Sequence, residues 1–137
     1  MKKLKFIIVL LILSMMFTQT VFSYEKRKTL KELVSSAPFV VVGKVLEVKS
    51  QKEKYLGQEN FVMTYVKFSI QTFLKGKNSD NIITIKVPGG KLGDLAIFGE
   101  ESFHFSKDEE SVLFLTETDE AFYEIYSISG KLIVENK

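Results

Sequence analysis

The sequence predicts a small, mainly β domain, in which five or six antiparallel strands curl into a barrel behind one short N-terminal helix. Three observations predict it. Residues 39–48, FVVVGKVLEV, form the densest run of β-branched residues in the chain, with a single glycine, Gly43, in their midst. Residues 61–74 alternate apolar and polar side chains with a period of two, the pattern of a half-buried strand. Further short β-branched or aromatic runs follow, each bounded by a turn cluster.

In chain order, Thr29 with Glu32 three residues later fits the S/T-x-x-E capping box. Leu30, Leu33 and Val34 share one face at helical spacing, and Pro38 stops the helix near residue 36. A two-turn helix packed against the sheet would explain why the first strand is apolar on both faces at its start. In that strand Val40, Val42, Leu46 and Val48 fall on one face and Val41 and Val45 on the other, and Gly43 marks a bend or bulge. Residues 51–60 are polar, contain Gly57 and read as an exposed loop. In the second strand Val62, Thr64, Val66, Phe68, Ile70, Thr72 and Leu74 form the predicted core face. KGKNSDN, residues 75–81, is a turn.

A short third strand occupies residues 82–87 and ends at Pro88-Gly89-Gly90. Residues 89–110 show no clear period; they hold either a short strand near 95–98 or 102–105, or a functional loop. Strands at 112–116 and 122–128 follow, with a last short one at 132–134. The strand count, the long early strands and the glycine corners fit an OB-like barrel best, with a β-sandwich as the alternative.

Residues 1–23 carry the features of a secretory signal peptide: Lys2, Lys3 and Lys5, then an apolar run over residues 6–17 broken only by Ser14, then Val21-Phe22-Ser23 at the cleavage region. The apolar run is shorter than a membrane crossing requires. Export therefore leaves a single domain, residues 24–137, secreted or periplasmic, with no stable membrane span. Removing three lysines leaves 16 basic residues against 17 acidic ones, so the apparent net charge of +2 belongs to the leader. A near-neutral domain lacks the footprint of a nucleic-acid binder. Charge is nevertheless uneven, +7 over residues 24–91 and −8 over residues 92–137. Segments that interleave in a β fold neutralise one another; segments that do not would give a dipolar surface. With no cysteine, an exported domain of this size relies on its core alone.

No catalytic or cofactor pattern emerges. His104 is the single histidine and there is no G-x-S-x-G elbow, so a nucleophile–histidine arrangement has little to draw on. His104 lies between Phe103 and Phe105 and reads as a structural or surface residue. Three or four zinc ligands are not at hand, and no metal or cofactor is expected. Asp108, Glu109 and Glu110 lack the spacing of a calcium loop and read as a solvated acidic turn. Pro88-Gly89-Gly90-Lys91 departs from a phosphate loop, since Leu92 and Gly93 follow. Glycines do allow close backbone approach to a partner, so Gly89, Gly90, Lys91, Gly93 and Asp94 are the preferred binding residues.

The segments SSAPFVVVGKVLEV, TYVKFSIQTFLKGKNSDNIITIKVPGG, EESVLFLTE and FYEIYSISGKLIV resemble small secreted bacterial domains of unknown function. More distantly they resemble the N-terminal OB-fold domain of the tissue inhibitors of metalloproteinases and the related netrin-like modules. There too a short helix precedes a strand reading v-v-G-K-V, and a long strand ends in K-G before a turn. The resemblance spans residues 34–134. It implies an OB-like barrel used as an extracellular, non-enzymatic binding module whose partner is an extracytoplasmic protein such as a protease. Those inhibitors chelate zinc through an N-terminal cysteine. Here the expected mature start is Tyr24-Glu25-Lys26, and no inhibitory residue carries over.

Two other functions remain open from the residues alone. One is a small envelope hydrolase using Asp94, Glu100 and Glu101. The other is a structural envelope protein that binds glycan through Tyr55, Tyr65 and Tyr123.

Overall fold

The computed structural model of the chain describes residues 1–5, 7, 26–99 and 102–135. Most of the predicted leader lies outside these residues, as do Glu100 and Glu101 of the hydrolase reading. No described helix is long and apolar enough to cross a membrane.

The chain is mainly β, with a six-stranded sheet and one short helix ahead of it. Helix α1 spans Leu30–Ser36. The strands are β1 Phe39–Tyr55, β2 Gln58–Lys75, β3 Ile82–Pro88, β4 Gly90–Leu92, β5 Leu95–Ile97, β6 Glu110–Glu117, β7 Tyr123–Ile125 and β8 Lys131–Ile133. The sheet runs in the order β1-β2-β3-β7-β6-β8, and β6 also pairs with β1; β4 and β5 form a separate hairpin.

The helix is where the capping box places it. Thr29 Oγ1 accepts from the Glu32 backbone N–H at 3.3 Å, and the Glu32 carboxylate accepts from the Thr29 N–H at 2.7 Å. That backbone bond, more than the hydroxyl, holds the Glu32 carboxyl below the usual carboxylate range. The helix buries Leu33 in a small cluster with Ala37, Val40 and Phe114. This cluster covers the outer side of β1, while Val41 and Val45 enter the main core with Val66, Phe68, Ile85, Leu113 and Leu115. The double-sided apolar start of β1 is thereby explained.

β1 and β2 curl because their ladder is interrupted. Pairing passes from Val42↔Thr72 to Gly43↔Ile70, leaving Gln71 as an extra residue, and from Val45↔Phe68 to Glu47↔Lys67, leaving out Leu46. Each bulge reverses which side chains face inward. Two expected core assignments change as a result. Phe73, not Thr72 or Leu74, packs on the main core, and Leu74 is 62% exposed. Leu46 and Val48 are likewise exposed. At Gly43 the chain is paired on both edges, to Ile70 of β2 and to Ser111 of β6. A Cβ there would lie 2.1 Å from Ser69 O, so only glycine fits.

The expected loop over residues 51–60 is instead a two-stranded ribbon closed by Leu56 and Gly57, with φ of 47° and 81°. Both signs match the tight hairpin turn that continues a twisted ribbon. The ribbon projects beyond the core, so neither face is apolar and no period-2 signal marks it. The undivided segment after β3 contains the β4–β5 hairpin, in agreement with the expected short strand near 95–98.

One ladder departs from an all-antiparallel sheet. β3 and β7 run parallel through the pair Ile85↔Tyr123. A parallel pair needs a long crossover, and the chain from β4 to β6 supplies it.

Candidate functional site

The site begins at the end of β3. Gly89 is buried; its N–H donates to Val62 O at 2.9 Å, and its carbonyl accepts from Thr64 Oγ1 at 2.7 Å. Ser50 Oγ lies 2.9 Å from Thr64 Oγ1 and completes a chain of hydroxyls across β1 and β2. A Cβ on Gly90 would fall 2.2 Å from Thr64 Oγ1, and one on Gly89 2.7 Å from Ile97 O. Both glycines also have positive φ, 93° and 136°. They form a pinned pivot that aims the β4–β5 hairpin. The remaining predicted residues are displayed by that hairpin: Lys91 is exposed on β4, and Gly93 and Asp94 form its exposed turn. The five residues thus divide into an anchor and a tip.

Beyond Ile85↔Tyr123, β3 and the chain after β7 separate, and an apolar groove of about 700 Å³ lies where they part. One wall is residues 87–89 with Phe61; the opposite wall is residues 125–128. The upper rim is Ile97, Phe98 and Gly99 from the end of the hairpin, with Ser102 and Phe103 beside it. Phe98 is 49% exposed and stacks on exposed His104, with ring centroids 4.9 Å apart. Phe103 and Phe105, on either side of His104, pack on the main core. Ser127 is buried in the groove wall, and its Oγ has no hydrogen-bond partner among the described residues. A smaller cleft of about 150 Å³ shares Val87, Pro88, Phe103 and Ile125 with the groove and adds Tyr55, Lys86 and Glu124. The apolar groove therefore ends beside two opposite charges.

A polar network flanks that end. Glu53 accepts from Tyr65 Oη at 2.5 Å and pairs with Lys86 at 3.0 Å; Lys86 also lies 3.7 Å from Glu120. Burial pushes the Glu53 carboxyl up, but hydrogen bonds from Tyr65 and Lys86 outweigh it and leave the group below its ordinary value. Burial, then the Glu53 hydrogen bond, raises the Tyr65 phenol. The hydrogen bond to Glu53 raises Lys86 against its own desolvation.

The tyrosines of the glycan reading are each engaged within the protein. Tyr65 meets Phe122 edge-on, Tyr55 packs on Phe61, and Tyr123 is a core residue whose hydroxyl accepts from Asn78 Nδ2. Asp94 stands exposed on the hairpin tip.

The acidic turn also proves more structured than its composition suggests. Asp108 is exposed and pairs with Lys44 at 3.5 Å. Glu109 instead turns inward to Lys131 at 2.7 Å and accepts from Ser111 Oγ at 2.9 Å. The Lys131 ammonium lies 4.1 Å from the centre of the Phe105 ring and donates to His104 O. This latch ties the irregular segment of residues 102–106 that rims the groove to β8. Charge attraction between the two halves of the chain shows in the pairs Lys44–Asp108 and Lys86–Glu120.

Sequence reading pointed to a binding loop at Gly89–Asp94 and to a short strand near 95–98, but neither to the hairpin that joins them nor to the groove. Phe61, Phe98, Phe103 and residues 125–128 come from four separate segments, and only the parting of β3 and β7 brings them together. The cue available in the sequence was an aromatic cluster, Phe98, Phe103 and Phe105, in a stretch with no strand period.

Comparison with protein-family models, with curated proteins and with solved structures finds no match to this chain.

Proposed function

We propose that this chain is an exported, non-enzymatic binding module built on an OB-like barrel, and that the groove beside the β4–β5 hairpin receives an extracytoplasmic protein. The barrel reading is supported by the ladder order, which leads from β1 through β2, β3, β7 and β6 and returns to β1. It is supported again by the parallel β3–β7 contact, which only a crossover strand can make. Export is supported by the lysine-led apolar run of the first 23 residues.

The groove is the observation that carries the binding reading. An apolar cleft with a half-exposed phenylalanine at its rim is the usual form of a partner site. A buried hydroxyl at Ser127 offers one directional bond to an occupant, and the Lys86–Glu124 end offers charge. The pinned Gly89–Gly90 pivot fixes the hairpin before binding, which lowers the ordering cost of association. Within this reading, a protease is the partner class that the inhibitor resemblance implies.

The test is capture from the envelope or medium with the unmodified protein and with Phe98→Asp in parallel. Phe98 is half exposed, so the variant keeps its fold. The reading requires a partner retained by the unmodified protein and lost with Phe98→Asp. A set of captured proteins identical for both, or no reproducible partner for either, would count against it.

A further inference from the structure

We propose that the outer face of α1 and the basic segment before it dock on an anionic phospholipid surface. α1 turns Leu33 inward and leaves Leu30 and Val34 outward, 59% and 49% exposed. These two are one turn apart and form a single apolar patch. Lys75 Nζ donates to the carbonyls of Val34 and Ser35 at 3.0 and 3.1 Å, which brings the end of β2 against the helix, and its neighbour Leu74 is 62% exposed.

The patch is bordered by cations. Lys26, Arg27 and Lys31 are exposed, and Lys28 rests its ammonium 4.3 Å from the centre of the Tyr126 ring. Among the described residues none of these four enters an ion pair. Glu32, the one acid of α1, accepts from the Thr29 backbone N–H and also feels the charges of Lys26 and Lys28. Exposed apolar side chains among unpaired cations match the chemistry of a membrane interface: the apolar groups enter the acyl boundary while the cations meet phosphates. Leu30 and Val34 stay outside the cluster that Leu33 forms with Ala37, Val40 and Phe114. In the sequence this face follows the apolar run of residues 6–17. The surface lies on α1 and not on the hairpin, and it touches the groove wall only where Lys28 rests on Tyr126.

The test is flotation of the exported protein, as recovered from the producing cell, with vesicles of mixed phosphatidylcholine and phosphatidylglycerol and with vesicles of phosphatidylcholine alone. Binding is expected to the anionic vesicles and to weaken sharply at high salt. Lys26→Gln with Lys31→Gln should weaken it about 30-fold, from the loss of two surface cations. Leu30→Ser with Val34→Ser should weaken it about tenfold or more. Lys107→Glu, an exposed charge elsewhere on the chain, should leave it unchanged. All these positions are exposed, so melting temperatures should stay close to that of the unmodified protein. Equal binding to both kinds of vesicle, no binding to the anionic ones, or an equal loss with Lys107→Glu would overturn the proposal.

Discussion

Gly43→Ala isolates the close crossing on which the curl of β1 depends. The φ of Gly43 lies outside the left-handed region, so alanine meets no backbone penalty there. In an open strand the change would stabilise the protein by about 0.5–1 kcal/mol, because glycine loses more freedom on folding. Here the added Cβ would stand 2.1 Å from Ser69 O, 2.7 Å from Phe68 Cε1 and 2.9 Å from Ser69 C. Two of these three atoms are backbone, so rotation of a side chain does not relieve the overlap. The strand must move on an edge already paired to β2 while its other edge is held by β6. Overpacking of this kind costs about 1–3 kcal/mol, and the backbone contact places Gly43→Ala near the upper end, about 3 kcal/mol. That is a large share of the ~5–15 kcal/mol typical of a domain. Urea unfolding followed by circular dichroism should show the midpoint falling by about 1–2 M with the slope unchanged. Trimming the ring with Phe68→Leu should not rescue the variant, since Ser69 O is the closer atom. A loss under about 0.5 kcal/mol, or rescue by Phe68→Leu, would refute the argument that the backbone of β1 at Gly43 lies tight against Ser69 of β2.

Two further predictions concern the polar groups. Lys131 and Glu109 keep only 9% and 16% of their side-chain surface exposed, so Lys131→Met or Glu109→Gln alone should cost about 3 kcal/mol by stranding the partner. The double variant should lose less than the sum, and a coupling energy below about 0.5 kcal/mol in the double-mutant cycle would show that the latch contributes nothing. Tyr65→Phe should cost about 1.5 kcal/mol at neutral pH by removing a hydrogen bond to a carboxylate. Glu53 has a lowered folded pKa, so its contribution is present above the ordinary carboxylate value and is lost as pH falls through the folded one. Tyr65 and Lys86 are raised, so theirs is present below their ordinary values and is lost as pH rises through the folded ones. The Tyr65→Phe deficit should therefore shrink in acid, and a deficit constant from neutral to acid pH would contradict the network.

Much of this fold was legible in the sequence. Thr29 and Glu32 announced α1 because a capping box is local chemistry, decided within four residues. The β1 and β2 runs announced themselves through β-branched density and period. What was misread has physical reasons. Thr72 and Leu74 fit the core face by counting in twos, but Gln71 is an inserted residue, and a bulge resets the count without leaving a mark in composition. Residues 51–60 looked like a loop because the ribbon they form has no apolar side; its half-buried side carries Glu53 and Tyr55. Glu109 looked solvated because its partner, Lys131, is far along the chain. The glycines at 89–93 suggested a turn and a binding loop but not the hairpin at residues 90–97, and the groove left no signal, since its walls are assembled from distant segments by the parallel approach of β3 and β7.

The central claim is that the groove beside Phe98 is where a partner protein sits. A photoreactive amino acid placed at position 98, with a second chain carrying it at Lys107 as the reference, tests this in the producing cell. The account predicts a discrete cross-linked species from position 98 that is absent from position 107 and is suppressed when Ile128→Asp alters the opposite wall. Cross-links of the same pattern from both positions, or none from position 98 while the protein is exported and folded, would contradict it.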